Sequence, residues 1–293
     1  MKRFHIFFVL ALLLFPNFNS KAQDYKSQRA QMMVFNVGFN GLIGGIGAGI
    51  NKKDNESFGQ AFKKGLLGGA IGGLVSHTGL TLTHQIRSRQ SIALAWPARL
   101  TNSLGASIIQ NATENKRLLE RLHFNLFISR LEYFPYSKKF TARLFTSSIY
   151  GIVVTGKNAH LNVEKSLKSG VLYFESSDDF STSIGTGRAT GQVSSVGMRT
   201  DLTKADHFNV FSHEVAHILQ YDRKIGGNAF LLKFNKKLKT DYKIYNTLSK
   251  YIYFDFNGPI FYFAYKAQGT IHNCNFFEQE AEHYSGKTYY GCN

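Results

Sequence analysis

A His-Glu-x-x-His sequence is the strongest chemical signal in the chain, with histidines at His213 and His217 and an acid at Glu214. Residues four apart on a helix project from one face, so both imidazoles can reach a single metal ion at about 2.0 to 2.1 Å. Glu214 follows the first histidine and points close to the open side of such an ion, where it can take a proton from water. The pattern therefore predicts a metal centre with a general base beside it.

The residues around this motif predict the helix that it needs. Thr203 and Asp206 are typical of a helix start. An apolar stripe lies on the side opposite the histidines, formed by Phe208, Phe211, Val215 and Ile218. The alternative is an ordinary helix whose two histidines are solvated or packed in the core. A third ligand elsewhere in the chain would favour the metal centre.

An acidic cluster near the C-terminus offers this third ligand. Its candidates are Glu278, Glu280 and His283. Glu278 and Glu282 share a helix face, whereas Glu280 points elsewhere, so a site built on Glu278 gains a second carboxylate on the same side. Structural zinc sites usually recruit cysteines, while two histidines and one carboxylate leave a fourth position for water. The alternative is that the cluster is a solvated helix face.

Together, these two motifs resemble those of the gluzincin metallopeptidases, particularly those built like the membrane CAAX-type proteases and the compact bacterial anti-repressor proteases. In that family, His-Glu-x-x-His is followed on a second helix by Glu-x-x-Ala-Asp or Glu-x-x-Ala-Asn. The resemblance implies that His213, His217 and Glu278 bind zinc. It also implies that Ala281 lets the two helices meet and that Glu282 is an outer carboxylate, although the family has Asp or Asn at that position.

The same resemblance implies an activity, the hydrolysis of peptide bonds with zinc as the cofactor. Glu214 would take a proton from the attacking water and pass it to the leaving amine. No spacing rule selects a donor for the oxyanion among Tyr221, His283 and Tyr284. The expected partner is a peptide or protein substrate, and no specific nucleic-acid binding is expected. The alternative is a non-catalytic protein of the cell envelope whose metal site is structural or vestigial.

The N-terminus predicts an exported protein. Lys2 and Arg3 precede an apolar run at 7–15, and residues 20–22 supply the small side chains that a signal peptidase reads. Residues 1–22 are therefore predicted to be a signal peptide, and an uncleaved membrane anchor is the alternative. The expected location is the periplasm, the cell envelope or the extracellular space.

Composition excludes some classes of protein and leaves others open. An apolar content of 43% and a charged content of 18% over 293 residues rule out a disordered or collagen-like chain. The net charge of +16 favours anionic partners such as membranes, polyanionic glycans or nucleic acid, without choosing among them. The two cysteines, Cys274 and Cys292, are predicted to form a disulfide in an oxidising compartment.

Residues 23–90 are predicted to form a glycine-rich helical hairpin. Glycines recur at every fourth position in two rows. The first row is Gly41, Gly45 and Gly49, and the second is Gly65, Gly69 and Gly73. Glycine costs about 1 kcal/mol relative to alanine in a helix, so such rows indicate that another backbone approaches closely. The same spacing forms the packing surface of many membrane helices.

Two interpretations of this hairpin stay open. The segments 34–50 and 65–82 carry no formal charge, and each approaches the roughly 20 residues that span a bilayer. Membrane contact through the 34–82 hairpin is one interpretation. Asn36, Asn40 and His77 are poor lipid-facing residues, and they favour the other, a soluble and closely packed pair of helices.

Residues 91–293 are predicted to form an α+β domain. Amphipathic helices are predicted over 91–134, and a small antiparallel β-sheet is predicted over 140–199, including a β-branched strand at 149–154. The glycines at 185–191 match no nucleotide-binding fingerprint and predict a turn. The complete chain is thus expected to be α+β, with the N-terminal hairpin, this sheet and a C-terminal helical region that carries the zinc site.

A basic helical stretch is predicted at 233–250, between the two motifs. Its predicted buried side consists of Leu238, Tyr242, Tyr245 and Leu248. Its six lysines suit a solvated face or contact with acidic headgroups.

Overall fold

The computed structural model describes residues 25–182, 185–223, 227–268 and 274–286. Within these ranges the chain is a mixture of helices and small β-sheets, with a pair of long helices on the N-terminal side, in agreement with the α+β prediction. The predicted signal peptide and Cys292 lie outside the described residues. Cys274, the predicted partner of Cys292, is disulfide-bonded.

The elements follow one another in an order that mixes helices and strands. The helices are α1 (Tyr25–Ile50), α2 (Phe58–Ser88), α3 (Ala95–Thr113), α4 (Thr146–Gly156), α5 (Val163–Ser169), α6 (Lys204–Arg223), α7 (Gly227–Phe230), α8 (Leu232–Asp241), α9 (Lys243–Tyr251), α10 (Asn257–Ala267) and α11 (Phe276–Tyr284). The strands are β1 (Leu122–Leu126), β2 (Ser129–Phe134), β3 (Lys139–Phe145), β4 (His160–Leu161), β5 (Leu172–Ser176), β6 (Phe180–Thr182), β7 (Gly185–Gly187), β8 (Ala189–Gln192), β9 (Ser195–Arg199) and β10 (Ile252–Tyr253).

The predicted helical hairpin is confirmed as the pair α1 and α2, and its glycines form the contact between the two helices. A Cβ atom on Gly65 would collide with the carbonyl oxygen of Gly44, and one on Gly69 would collide with the carbonyl oxygen of Asn40. On another side of α2, Gly72 lies against the backbone of α3. The glycine rows therefore let three helices approach one another to backbone contact.

Helices α1 and α2 are long and apolar enough to cross a membrane, judged by length and composition, over Arg29–Ile50 and Phe58–Ser88. In each helix, 50% of the most apolar 18-residue segment is buried inside the fold. The polar side chains of Asn36, Asn40 and His77 are among the buried ones. They therefore face the protein interior, while apolar side chains such as Val34, Leu67 and Leu74 are exposed on the outer side of the hairpin.

The helix predicted over 91–134 is correct for α3 and wrong for residues 122–134, which form the antiparallel hairpin of β1 and β2. The buried positions of this hairpin hold His123, Asn125, Arg130 and Glu132. Polar and charged side chains thus carry the inward face of both strands. A search for apolar periodicity does not detect such a pattern.

The predicted antiparallel pairing is correct for most of the strand pairs and wrong for two of them. The strands form two four-stranded mixed sheets, in the orders β1-β2-β3-β10 and β4-β5-β9-β8, and a two-stranded ribbon of β6 and β7. β10 runs parallel to β3, and β5 runs parallel to β9. The turn predicted at 185–191 is instead made of β7 and the start of β8. Parallel partners lie far apart in the sequence, so periodicity within one segment does not reveal them.

Residues 149–154 lie in α4, so the strand predicted there is wrong. The face of α4 toward β8 and β9 presents small residues, among them Gly151 and Thr155, which are buried. The branched side chains of Ile149 and Val153 point outward and are exposed. Close packing of a smooth helix face on the sheet overrides the β propensity of this segment.

The basic stretch at 233–250 forms two helices, α8 and α9, because Tyr242 between them has an extended backbone. The predicted buried side is wrong for half of its members. Tyr242 and Leu248 are 60% and 43% exposed, whereas Leu238 and Tyr245 are partly buried. The outer surface of α9 is therefore apolar in part.

The main hydrophobic core surrounds α6. Helices α2, α3 and α11 and strands β8 and β9 all pack against it. Its buried members include Leu80, Tyr173, Val196, Met198, Phe211, Val215, Ile218, Phe277 and Ala281. Because α6 is enclosed on several sides, its position is fixed by the core.

The glycine contact predicts a difference in stability between two substitutions on α2. Gly69→Ala is expected to lower the free energy of unfolding by about 1 to 3 kcal/mol, because the new methyl group meets the backbone of α1. Gly59→Ala, where a Cβ atom meets nothing within 4 Å, is expected to raise it by about 0.5 to 1 kcal/mol. Urea unfolding followed by circular dichroism measures both. Unfolding of Gly69→Ala at the same urea concentration as Gly59→Ala would contradict the packing described.

Candidate metal centre

Helix α6 carries the His-Glu-x-x-His residues and begins where the sequence predicts. The hydroxyl of Thr203 accepts a hydrogen bond from the backbone N–H of Asp206 at 3.2 Å, which caps the first turn. Phe211 and Val215 are fully buried in the core. Packing of this apolar face sets the rotation of the helix, and the two histidines therefore project from the other side.

Helix α11 supplies the predicted third ligand, Glu278. The side chain of Asn275 accepts a hydrogen bond from the backbone N–H of Phe277 at 3.0 Å and so caps the start of α11. Ala281 is fully buried in the core, where α11 packs on α6. A small side chain at that position lets the two helices lie close together.

Three atoms from these two helices lie near one another: Nε2 of His213, Nε2 of His217 and Oε2 of Glu278. The two nitrogens are 3.0 Å apart. The carboxylate oxygen is 3.2 Å from the nitrogen of His213 and 3.3 Å from that of His217. All three side chains are buried. Within the described part of the chain, this trio is a group of ligand-type residues that could hold a metal ion.

The spacing of the trio matches that of ligands around a small divalent cation. Two atoms bound at about 2.1 Å to a tetrahedral ion are separated by about 3.4 Å. The observed separations of 3.0 to 3.3 Å correspond to one face of such a tetrahedron. Two imidazole nitrogens and a carboxylate oxygen are also donors that zinc and related transition metals accept. The residues present therefore fit a metal ion.

Gln220 fixes the orientation of the His217 ring. Nδ1 of His217 lies 2.9 Å from Oε1 of Gln220. The amide nitrogen of Gln220 donates to the carbonyl oxygen of Phe277 at 2.8 Å and to Oε2 of Glu280 at 3.0 Å. Since the amide nitrogen faces these two acceptors, its oxygen faces the imidazole, and Nδ1 donates a proton to it. Nε2 of His217 is therefore the nitrogen that faces His213 and Glu278.

Glu280, a competing candidate for the third ligand, is bound to Arg223 instead. The guanidinium donates two hydrogen bonds to its carboxylate, at 2.6 and 2.8 Å, and Asn36 of α1 donates a third at 3.0 Å. Burial acts to raise the pKa of Glu280, but Arg223 and the hydrogen bonds outweigh it and lower the pKa. The trio includes neither Glu280 nor His283. Glu280 thus joins α1, α6 and α11.

Glu282 lies on the outer side of His213, the other histidine of the trio. Its Oε1 is 3.6 Å from Nδ1 of His213. This separation is longer than a hydrogen bond and leaves an electrostatic contact. The side chain predicted as the outer carboxylate is therefore close to the ring that it was expected to support, although its longer arm does not close to hydrogen-bond distance.

Glu214 lies beside the trio without belonging to it. Its carboxylate interacts electrostatically with both imidazoles and with Glu278. Burial raises the pKa of Glu214, the imidazoles oppose that rise, and Glu278 adds to it. The backbone N–H of Gly191 on β8 donates a hydrogen bond to Glu214. A Cβ atom at Gly191 would collide with the backbone carbonyl oxygen of Glu214. Strand β8 therefore packs directly on the predicted general base.

The carboxylates give the site a negative potential. Burial acts to lower the pKa of His217, but Glu278 and Glu214 outweigh it and raise the pKa to about 9. A potential that holds a proton on an imidazole also favours a cation between the same groups. The charge of the site therefore agrees with its geometry.

Tyr265 is a site residue that the sequence did not single out. Its hydroxyl donates a hydrogen bond to Oε1 of Glu278, which leaves Oε2 directed at the histidines. Burial raises the pKa of Tyr265, and Glu278 and Glu214 raise it further. Tyr265 belongs to an aromatic stretch with no fixed spacing to either motif, so no sequence rule could have selected it. Gln220 could have been noticed, since it lies three residues after His217 on the same face of α6.

Two tyrosines considered as oxyanion donors have other contacts. The hydroxyl of Tyr284 lies 2.7 Å from Nδ1 of His77 and accepts a hydrogen bond from Asn36 at 3.0 Å. Tyr284 therefore joins α11 to the hairpin. The hydroxyl of Tyr221 donates to Oε1 of Gln192 at 3.4 Å, at the end of β8.

Comparison of the chain with protein-family models, with curated protein sequences and with solved structures finds no match.

Proposed function

We propose that the protein is a zinc-dependent metallopeptidase of the gluzincin type. The observation that carries the proposal is the convergence of His213, His217 and Glu278 from two helices, with Glu214 beside them. If α6 were an ordinary core helix, its packing would not require a carboxylate at ligand distance from Nε2 of both histidines. The outer contact of His217 with Gln220 supports the same conclusion, because metal-bound histidines usually donate their second N–H to a fixed acceptor.

The donor set favours a catalytic over a structural metal. Structural zinc sites fill four positions, usually with cysteines, whereas two histidines and one glutamate leave a position for water or substrate. Cys274, the cysteine within the described residues, is disulfide-bonded. Zinc, when bound, supplies a Lewis acid that activates water near neutral pH and polarises a carbonyl.

Glu214 is assigned the proton transfers of the reaction. Its carboxylate lies within electrostatic reach of all three ligands, and the N–H of Gly191 holds it in place. It takes the proton of the attacking water and donates it to the amine that leaves. Its raised pKa suits this return of the proton, since a weakly acidic carboxyl group holds a proton longer than an exposed one.

Strand β8 is at the end of the sheet order β4-β5-β9-β8, and its Gly191 contacts Glu214. Three of its four residues, Thr190, Gly191 and Gln192, are buried. The choice of a peptide as the substrate therefore rests on the resemblance of the two motifs to those of the gluzincins.

A second candidate is a non-catalytic envelope protein with a structural or vestigial metal site. The burial of the site favours it, because His213, Glu214, His217 and Glu278 are each at most 8% exposed. A substrate must reach these side chains for hydrolysis to occur. Metal content and activity separate the two candidates.

Export to the periplasm, the cell envelope or the extracellular space is part of the proposal. It rests on the pattern of residues 1–22 and on the disulfide at Cys274, since disulfides persist in oxidising compartments. Contact with a membrane through the 34–82 hairpin is supported by the length and composition of α1 and α2.

The ligand assignment predicts the metal content of the protein and of two variants. The purified protein is expected to hold about one zinc ion per chain. Glu278→Gln replaces an anionic ligand by an amide of equal size and is expected to lose the metal. Glu282→Gln retains an acceptor near His213 and is expected to keep zinc with an affinity lowered by about tenfold. Elemental mass spectrometry after gel filtration measures the zinc content of the unmodified protein and of both variants. Full zinc content in Glu278→Gln, or iron in place of zinc, would contradict the assignment.

The role of Glu214 predicts a separation between metal binding and activity. Glu214→Gln is expected to keep zinc and to lower the rate of cleavage of fluorescein-labelled casein by at least about 100-fold, because the proton acceptor is lost. Glu164→Gln removes an exposed acid from α5 and serves as the control with unchanged rate. Activity of Glu214→Gln equal to that of the control would be incompatible with the mechanism. Zinc binding without cleavage by the unmodified protein would favour the second candidate.

A further inference from the structure

Helix α9 turns an apolar stripe away from the protein. Ile244, Leu248 and Tyr251 follow one another at four- and three-residue spacings on one face, and they are 77%, 43% and 70% exposed. The opposite side of the helix faces inward, where Ser249 is buried and Tyr245 stacks on the ring of Phe254 at 5.0 Å. An amphipathic helix normally buries its apolar face. Here the orientation is reversed, which indicates a surface that a partner covers.

The preceding helix and the link between the two helices also carry exposed aromatic side chains. Phe234 of α8 is 54% exposed, and Tyr242, between α8 and α9, is 60% exposed. No residue of α8 is buried. The two helices therefore contribute large apolar side chains while packing little of their own surface against the core.

Lysines lie between these apolar side chains. The exposed ones are Lys233, Lys236, Lys237, Lys243 and Lys250. Lys239 is partly buried, and Asp241 is the one acid of α8 and α9. The surface is thus both apolar and strongly cationic.

We propose that α8 and α9, residues 232–251, form a docking surface for a membrane that carries anionic lipids. Aliphatic and aromatic side chains insert at the boundary between headgroups and acyl chains, while lysine ammonium groups contact the lipid phosphates above it. The charge argues for this partner over a second copy of the chain. A symmetric dimer through this face would bring the same lysines together. The surface is separate from the α1–α2 hairpin and is independent of the proposed peptidase activity.

The test is co-sedimentation of the purified protein with two kinds of vesicle, one of phosphatidylcholine alone and one with about a third of phosphatidylglycerol. Strong binding is expected only to the anionic vesicles. It should weaken between about 0.1 M and about 1 M sodium chloride, where the screening length falls from about 10 Å to about 3 Å. Equal binding to both kinds of vesicle would overturn the proposal.

Matched double variants locate the contact. Ile244→Gln with Leu248→Gln, and separately Lys243→Gln with Lys250→Gln, are each expected to weaken binding to anionic vesicles by at least about tenfold. All four residues are exposed, so the fold should persist, and circular dichroism checks this.

The controls place the same changes elsewhere on the surface. Val163→Gln with Leu167→Gln alters two exposed apolar residues of α5 that are four positions apart, as Ile244 and Leu248 are, and Lys139→Gln with Lys157→Gln removes two exposed charges outside α8 and α9. Binding losses in the controls equal to those in the α9 variants would overturn the proposal. Conversion of a dimer to a monomer by the Ile244 and Leu248 changes, measured by light scattering, would also overturn it, because the face would then be an interface between copies of the chain.

Discussion

The buried ion pair between Arg223 and Glu280 is the contact on which the geometry of the site depends. Both side chains are taken out of water, and removal of either would leave a charge buried without its partner, which typically costs several kcal/mol. The pair links the end of α6 to the middle of α11. It also holds Gln220, which in turn orients His217. The distance between the histidines and Glu278 is therefore set by a contact outside the trio.

The N-terminal hairpin takes part in the same network. Asn36 of α1 donates to Glu280 and to the hydroxyl of Tyr284, and His77 of α2 contacts that hydroxyl from the other side. These polar groups can reach α11 because α1 and α2 approach each other at their glycines. The hairpin thus supports the site from behind, whatever its outer, apolar side contacts.

The site was more accessible to sequence reasoning than the fold around it. His213, Glu214 and His217 are specified by helical spacing alone, and the shared face of Glu278 and Glu282 separated Glu278 from Glu280. The glycine spacing likewise predicted the hairpin. The β1–β2 hairpin was missed because its buried residues are polar, and α4 was missed because its branched residues face outward. Tyr265 and Arg223 reach the site through tertiary packing, which no local pattern records.

The claim that three side chains from α6 and α11 hold a divalent cation is tested most directly by anomalous diffraction from crystals of the zinc-loaded protein. One peak is expected at the zinc absorption edge, about 2.0 to 2.2 Å from Nε2 of His213, Nε2 of His217 and Oε2 of Glu278. A peak held by other side chains, or a Glu278 carboxylate turned away from both imidazoles, would contradict it.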